Sequence, residues 1–241
     1  IGISQGFASK AQAESSYRRI QRFFEVFRVE QEAFSRIMIG LLPPAPYTVS
    51  MDRTNWQFGL FQINILMLSI AYQGVAFPVM WTLLGKKGNS NTRERKTLIQ
   101  RFLMLIPAKE IDMLVADREF IGQGWFDFLI QQHVPFTIRL PQSTLADASG
   151  KVTALFKSLK RGQHKVLAQT YKIYGLDLYL CALRLENKDL LILVSNRKAK
   201  QALKFYKRRW QIEMLFAALK KTGFDLETTH LAANHKLDKL L

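Results

Sequence analysis

Residues 63–84 run for 22 positions without a charged side chain. A stretch that long and apolar either crosses a bilayer as a helix or enters the core of a sheet. Gln73 and Gly74 interrupt it at mid-run, Pro78 follows, and Ile, Val and aromatic residues flank them. A membrane helix accommodates that interruption poorly. Two buried strands joined by a tight turn accommodate it well. The expectation is a β-hairpin inside a packed protein, and no membrane span.

The neighbouring segments extend this sheet. Residues 47–52 read as a strand with Asp52 at its end, and residues 58–72 and 75–84 complete an antiparallel meander. Residues 93–106 read as a helix capped by Asn91 or Thr92 and stopped by Pro107. Next comes the apolar strand Ile111–Ala116, ending on Asp117. A helix over residues 124–133 and a strand over 135–140 follow, and strand, crossover helix and strand predict parallel neighbours. Residues 171–185 read as a hairpin around Gly175, and residues 189–196 as a last apolar strand.

Residues 1–42 read as helical, with Tyr17, Ile20, Phe23, Phe24 and Phe27 at helical spacing and Arg18, Arg19, Arg22 and Arg28 on other faces. Two readings remain open: a small helical unit with a solvated basic face, or a DNA-contacting module. Pro43, Pro44 and Pro46 mark the turn into the next element. The chain opens on Ile1 and closes on Leu240 and Leu241, which reads as a fragment.

Hydrophobic content of 48% and 17 Phe argue against disorder. A formal net charge of +16 favours a polyanionic partner, nucleic acid first. A lone cysteine, Cys181, excludes a disulfide framework and points to a reducing cytosol. The four histidines lack zinc spacing, and no Walker or dinucleotide glycine motif occurs.

Residues 205–224 have good helix propensity and no Pro, with Gly223 as a stop. At roughly 100° per residue, Tyr206, Arg209, Glu213 and Lys220 fall within about 60° of one another. Spacing alone leaves two readings level. One is a helix with an Arg209–Glu213 ion pair. The other is a metal-binding carboxylate flanked by phosphate-gripping residues. Asp52 and Asp117, each after an apolar strand, add two acids that repel unless a cation lies between them.

The pattern of Tyr206, Arg209, Glu213 and Lys220 resembles the signature of DDE transposases of the insertion-sequence-four type. Asp52, heading Asp-Arg-Thr-Asn-Trp, and Asp117, heading Asp-Arg-Glu-Phe, resemble the first two acids of that family's triad. The resemblance implies an α/β, RNase H-like mixed sheet flanked by helices. It places the catalytic domain at 47–241, a β-rich insertion at about 141–196 and a small DNA-contacting helical region at 1–42. It implies that Asp52, Asp117 and Glu213 are the catalytic residues and ligate two Mg²⁺ ions, with Mn²⁺ as an alternative. Tyr206, Arg209 and Lys220 then contact DNA. The implied partners are double-stranded DNA, both transposon ends and target, and a second copy of the chain in the DNA complex. The implied location is the bacterial cytoplasm, at the nucleoid. The rivals are another RNase H-like nuclease and a non-catalytic DNA-binding relic of a transposase. Trp125 and Trp210 are expected in the core.

Overall fold

The computed structural model describes residues 12–27, 30–58 and 61–222. Gly223, where the long helix was expected to stop, Arg28, His230, His235 and both ends of the chain lie outside the described residues.

One eight-stranded sheet organises the chain. Its strands are β1 (Tyr47–Phe58), β2 (Phe61–Tyr72), β3 (Val75–Leu83), β4 (Ile111–Ala116), β5 (Phe136–Leu140), β6 (His164–Ile173), β7 (Leu176–Arg184) and β8 (Leu190–Ser195). They lie in the order β3-β2-β1-β4-β5-β8-β7-β6. The first three form the expected antiparallel meander, while β1, β4 and β5 run parallel. This is an RNase H-like mixed sheet. The charge-free run supplies β2 and β3, joined at Gln73 and Gly74, whose φ values of 48° and 86° suit a tight hairpin turn. Among the described residues no helix is long and apolar enough to cross a membrane.

The strands from residues 141–196 continue this sheet. β8 pairs antiparallel with β5, and β7 and β6 follow outward. Gly175 makes the β6–β7 turn, with φ 77° after 51° at Tyr174.

Helices are α1 (Ala13–Val26), α2 (Gln31–Gly40), α3 (Thr92–Leu103), α4 (Gln123–Gln131), α5 (Ala202–Lys207) and α6 (Trp210–Ala217). Asn91 caps α3 through a capping box with Glu94. The α3 helix ends at Leu103, earlier than its apolar pattern suggested, in a turn closed by Leu105 N–H and Ile106 N–H on the Phe102 carbonyl.

Strand alternation decides which helices each residue meets. Val49 and Met51 of β1, with Leu114 and Ala116 of β4, join the cluster built with Leu98 and Phe102 of α3 and with Trp125 and Phe126 of α4. The opposite face is smaller and more polar. There Trp56, Ile63, Ile65 and Met67 pack Ile212, Phe216 and Leu219, while Met113 and Val115 pack Phe205. The sheet is thus covered on both faces, with α5 and α6 over the even-numbered side of β1.

Three expectations need correction. Asp52 lies inside β1, not at its end, because residues 52–58 continue to pair with β2 as far as Phe58 opposite Phe61. The helix expected over residues 205–224 is not continuous. It tightens to i→i−3 bonds at Arg209 N–H to Tyr206 O and Ile212 N–H to Arg209 O, and widens to a π turn over Ala218–Thr222. The tight turn falls where Arg208 and Arg209 reach Thr48 and Asp52 of β1. Trp125 is in the core, but Trp210 is 62% exposed, because α6 packs only one of its sides on the sheet.

Candidate active site

The β1–β4 ladder ends with Met51 opposite Ala116, which makes Asp52 and Asp117 the first residues beyond it on two adjacent parallel strands. Asp52 shares the parity of Trp56, and Asp117 that of Met113 and Val115. Both therefore belong to the side that faces α5 and α6. Carboxyl ends of parallel strands are where open α/β sheets form ligand crevices. The next strand repeats the register. Ala116 pairs with Ile138, so Arg139 of β5 stands beside Asp117, Nη1 3.8 Å from Oδ1.

The α5–α6 segment closes this row from above. Tyr206 donates its hydroxyl to Asp117 Oδ1 at 3.3 Å. Arg209 Nη1 donates to Asp52 Oδ2 at 2.9 Å, and Nη2 donates to Glu213 Oε1. The guanidinium also lies 5.6 Å from the Tyr206 ring centroid. Tyr206, Arg209, Glu213, Asp52 and Asp117 are thus joined in one network. Lys220 stands apart from it. Its Nζ donates to the Asn55 carbonyl at 2.7 Å and lies 5.8 Å from the Trp56 ring.

The electrostatics follow from burial. The Asp52 side chain is 15% exposed. Desolvation pushes its carboxyl up to about 6, against the pull of the Arg53 N–H and Arg209, with Asp117 and Glu119 adding repulsion. Burial, aided by Asp117, pushes the Tyr206 phenol up to about 12, so it stays a proton donor at neutral pH. Burial works to weaken the Arg209 guanidinium's hold on its proton, but Tyr206, Glu213 and Asp52 outweigh it and raise it above its ordinary value. Arg209 Nε is buried and has no acceptor among the described residues. A phosphate oxygen is the kind of group that satisfies such a donor.

The donor set suits a hard divalent cation. Mg²⁺ takes one or two carboxylates and fills its remaining positions with water and substrate phosphate oxygens. Adjacent Asp52 and Asp117 on one face meet that requirement, and burial raises the cost of leaving Asp52 ionised without a cation beside it. Among the described residues, no three acidic, histidine or cysteine side chains form a ready-made metal cage. Glu213 instead gives one carboxylate oxygen to Arg209, which leaves the other as its candidate ligand atom.

Sequence reading missed two members of this region, Arg139 and Arg53, and took Glu119 only as a support for Asp117. Arg139 is the one charge in an apolar strand, and only the β4–β5 register puts it beside Asp117. Arg53 and Glu119 form an ion pair at 3.2 Å just past the two aspartates. Arg53 directly follows Asp52, and Glu119 lies two residues past Asp117; those positions were the available signal.

One solved structure at 12% identity is similar in fold to this chain, and others match it more loosely. A piggyBac transposase synaptic complex with hairpin DNA superposes with TM-score 0.51 at 12% identity, covering 78% of this chain and 43% of that one. The chain thus spans less than half the length of that transposase. Endonuclease V of Ciona intestinalis, bound to a DNA 23mer, gives TM-score 0.42 at 11% identity over 80% of this chain and 97% of its own. The HTLV-2 integrase catalytic core with magnesium gives 0.31 at 11% identity over 39% and 61%. No curated protein sequence matches the chain. The family model described as Transposase DDE domain matches residues 47–239, from the first residue of β1 past Glu213 and Lys220. The chain belongs to the Transposase DDE domain family.

Proposed function

We propose that the chain is a metal-dependent DNA transposase of the insertion-sequence-four type. It hydrolyses one strand at each transposon end and then directs the freed 3′-hydroxyl into target DNA. The observation that carries this reading is the side-by-side placement of Asp52 and Asp117 beneath the helix bearing Glu213.

Asp52, Asp117 and Glu213 hold two divalent ions, Mg²⁺ or Mn²⁺. When bound, these supply Lewis acidity to both the attacking and the leaving oxygen of the phosphodiester. The remaining work belongs to the chain's own side chains. Tyr206 keeps a neutral phenol on Asp117 and fixes that carboxylate's orientation. Arg209 compensates the acids in the resting site and offers its buried Nε to a phosphate oxygen. Lys220 adds a point charge farther along β1. Arg139 adds a cation on the far side of Asp117.

Residues 47–241 form the catalytic domain in this reading, with residues 141–196 as its β-rich insertion. Residues 1–42 contact DNA. Tyr17, Phe23 and Phe27 of α1 are 39%, 45% and 50% exposed beside exposed Arg18, Arg19 and Arg22, a basic and aromatic surface suited to a polyanion. The chain acts as a homodimer when two ends are brought together, on nucleoid DNA in a bacterial cytoplasm.

The test is a single-turnover assay on labelled end-bearing DNA with Mg²⁺. Nicking followed by joining to a target duplex supports the reading. Nicking without joining moves the assignment to another RNase H-like nuclease. Metal-dependent nicking that survives Asp52→Ala or Glu213→Ala removes the assigned site.

A further inference from the structure

Backbone pairing does not by itself fix the spacing of the two aspartates. The β1–β4 ladder ends at Met51 and Ala116, and both carboxylates lie beyond it. Besides the Arg209–Tyr206 network above them, a side-chain pair joins the two strands just past the aspartates. Arg53 follows Asp52 directly, Glu119 lies two residues past Asp117, and Arg53 Nη2 is 3.2 Å from Glu119 Oε2. Arg53 Nε lies 3.3 Å from each Glu119 oxygen. Both side chains are largely buried, 14% and 18% exposed.

The pair is held from outside. Arg53 Nη1 and Nη2 donate to Asn64 and Asn89 Oδ1 at 3.1 Å each, and Asn64 Nδ2 donates to the Lys86 and Gly88 carbonyls at 2.9 Å. Ser90 Oγ donates to Glu119 at 3.4 Å and accepts from Arg95 Nε at 2.8 Å. The network therefore ties the middle of β1 and the turn after β4 to the loop that precedes α3. A buried pair of this cost is poorly explained by stability alone, since apolar replacement of such pairs is often neutral.

We infer that Arg53 and Glu119 are positioning residues: their ion pair braces Asp52 against Asp117 at the separation that binds the divalent metal. This rests on the proposed metal site. It makes a prediction that local charge does not. Charge alone requires Arg53→Gln to tighten cation binding and Glu119→Gln to weaken it. A brace requires both to weaken it. The double replacement leaves the local net charge unchanged and removes both members of the pair together, so stability recovers in part, short of Glu119's pull on the buried Arg95, while position does not.

The experiment measures Mn²⁺ binding to the DNA-free full chain by electron paramagnetic resonance, with melting curves alongside. Each single variant is expected to bind Mn²⁺ about tenfold more weakly, as outer-sphere losses do. The double variant is expected to recover part of the melting temperature lost in the single variants and still bind about tenfold more weakly. Tighter binding by Arg53→Gln, or wild-type affinity in the double variant, overturns the brace. Asp52→Asn separates the two claims. If it leaves Mn²⁺ binding intact, the metal site is misassigned and the brace falls with it. If it weakens binding and the brace variants do not, the brace alone falls.

Discussion

Arg209 Nη1 lies 2.9 Å from Asp52 Oδ2, so the chain's own guanidinium offsets part of the negative charge of the resting site. Glu213 takes the other arm of the same fork. A bound metal and this guanidinium then compete for the same negative charge. Arg209→Gln leaves two carboxylates short of a cation, and the side chains of Arg209 and Asp52 are only 10% and 15% exposed. The expected loss is about 3 kcal/mol in EDTA. That corresponds to a melting temperature lower by roughly 6–12 °C for a chain of this size. Added Mg²⁺ should raise the melting temperature of the variant more than that of the parent. Equal responses to Mg²⁺ in the two proteins speak against competition at this site.

The raised carboxyl of Asp52 has a consequence for stability. Its folded value is about 6, above the ordinary value near 4 of an unfolded aspartate. A group raised on folding contributes stability that is complete below the unfolded value and is lost as pH rises through the folded one. The metal-free protein should therefore lose on the order of 3 kcal/mol between about pH 4 and pH 7 from this group. The attraction of Arg209 is already included in that balance. Asp52→Asn removes the titration. In EDTA the variant should melt above the parent at pH 7.5 and level with it at pH 4. A constant difference across that range rules out Asp52 as the source.

The outline of this site could be read from the chain, but its fastenings could not. Asp117 was visible because an acid follows at once on the apolar run of residues 113–116. Asp52 was visible for the same reason, yet its strand was cut short. Arg53, Thr54 and Asn55 look like a polar turn, and only pairing with Leu66, Ile65 and Asn64 of β2 keeps them extended. The four-residue pattern from Tyr206 to Lys220 suggested one stripe on one helix. Good helix propensity gives no hint of the tight turn at Arg209, which arises where two guanidiniums reach β1. The result moves Lys220 onto the Asn55 carbonyl, away from the acids. Trp210 misled for a related reason. A helix apolar on several sides reads as buried, but a sheet covers one side only.

Tyr206 offers a separation of roles. Its hydroxyl meets Asp117, a candidate metal ligand, at 3.3 Å, and its ring lies under Arg209. Tyr206→Phe keeps the ring and deletes the hydroxyl. A side-chain hydrogen bond of this kind contributes about 1 kcal/mol to stability, so folding should change little. Orientation of Asp117 should suffer more, lowering single-turnover cleavage about tenfold, as losses around metal ligands do. The dissociation constant for DNA should stay within about twofold, because a group spent on Asp117 adds little to DNA affinity. A Tyr206→Phe protein that cleaves normally but binds DNA weakly makes the phenol a phosphate contact instead.

Lys220 and Arg139 flank the acidic row from opposite sides, one over β1 and one on β5. If both meet the backbone of a bound duplex, each contributes one unit of counterion release. Log affinity for DNA falls with log salt at a slope of about −0.9 per neutralised phosphate, so each alanine variant should flatten that slope by about 1. The double variant should flatten it by about 2, since the two cations lie on separate elements, one over β1 and one on β5. Arg139 carries an additional expectation. It is 3.8 Å from Asp117, so its loss should also slow cleavage at saturating DNA, whereas loss of Lys220 should act chiefly through affinity. Titrations from 50 to 200 mM salt, with cleavage measured at saturation, distinguish these effects. A slope unchanged by Lys220→Ala places the phosphates elsewhere and leaves that ammonium a fastener of the helix to Asn55.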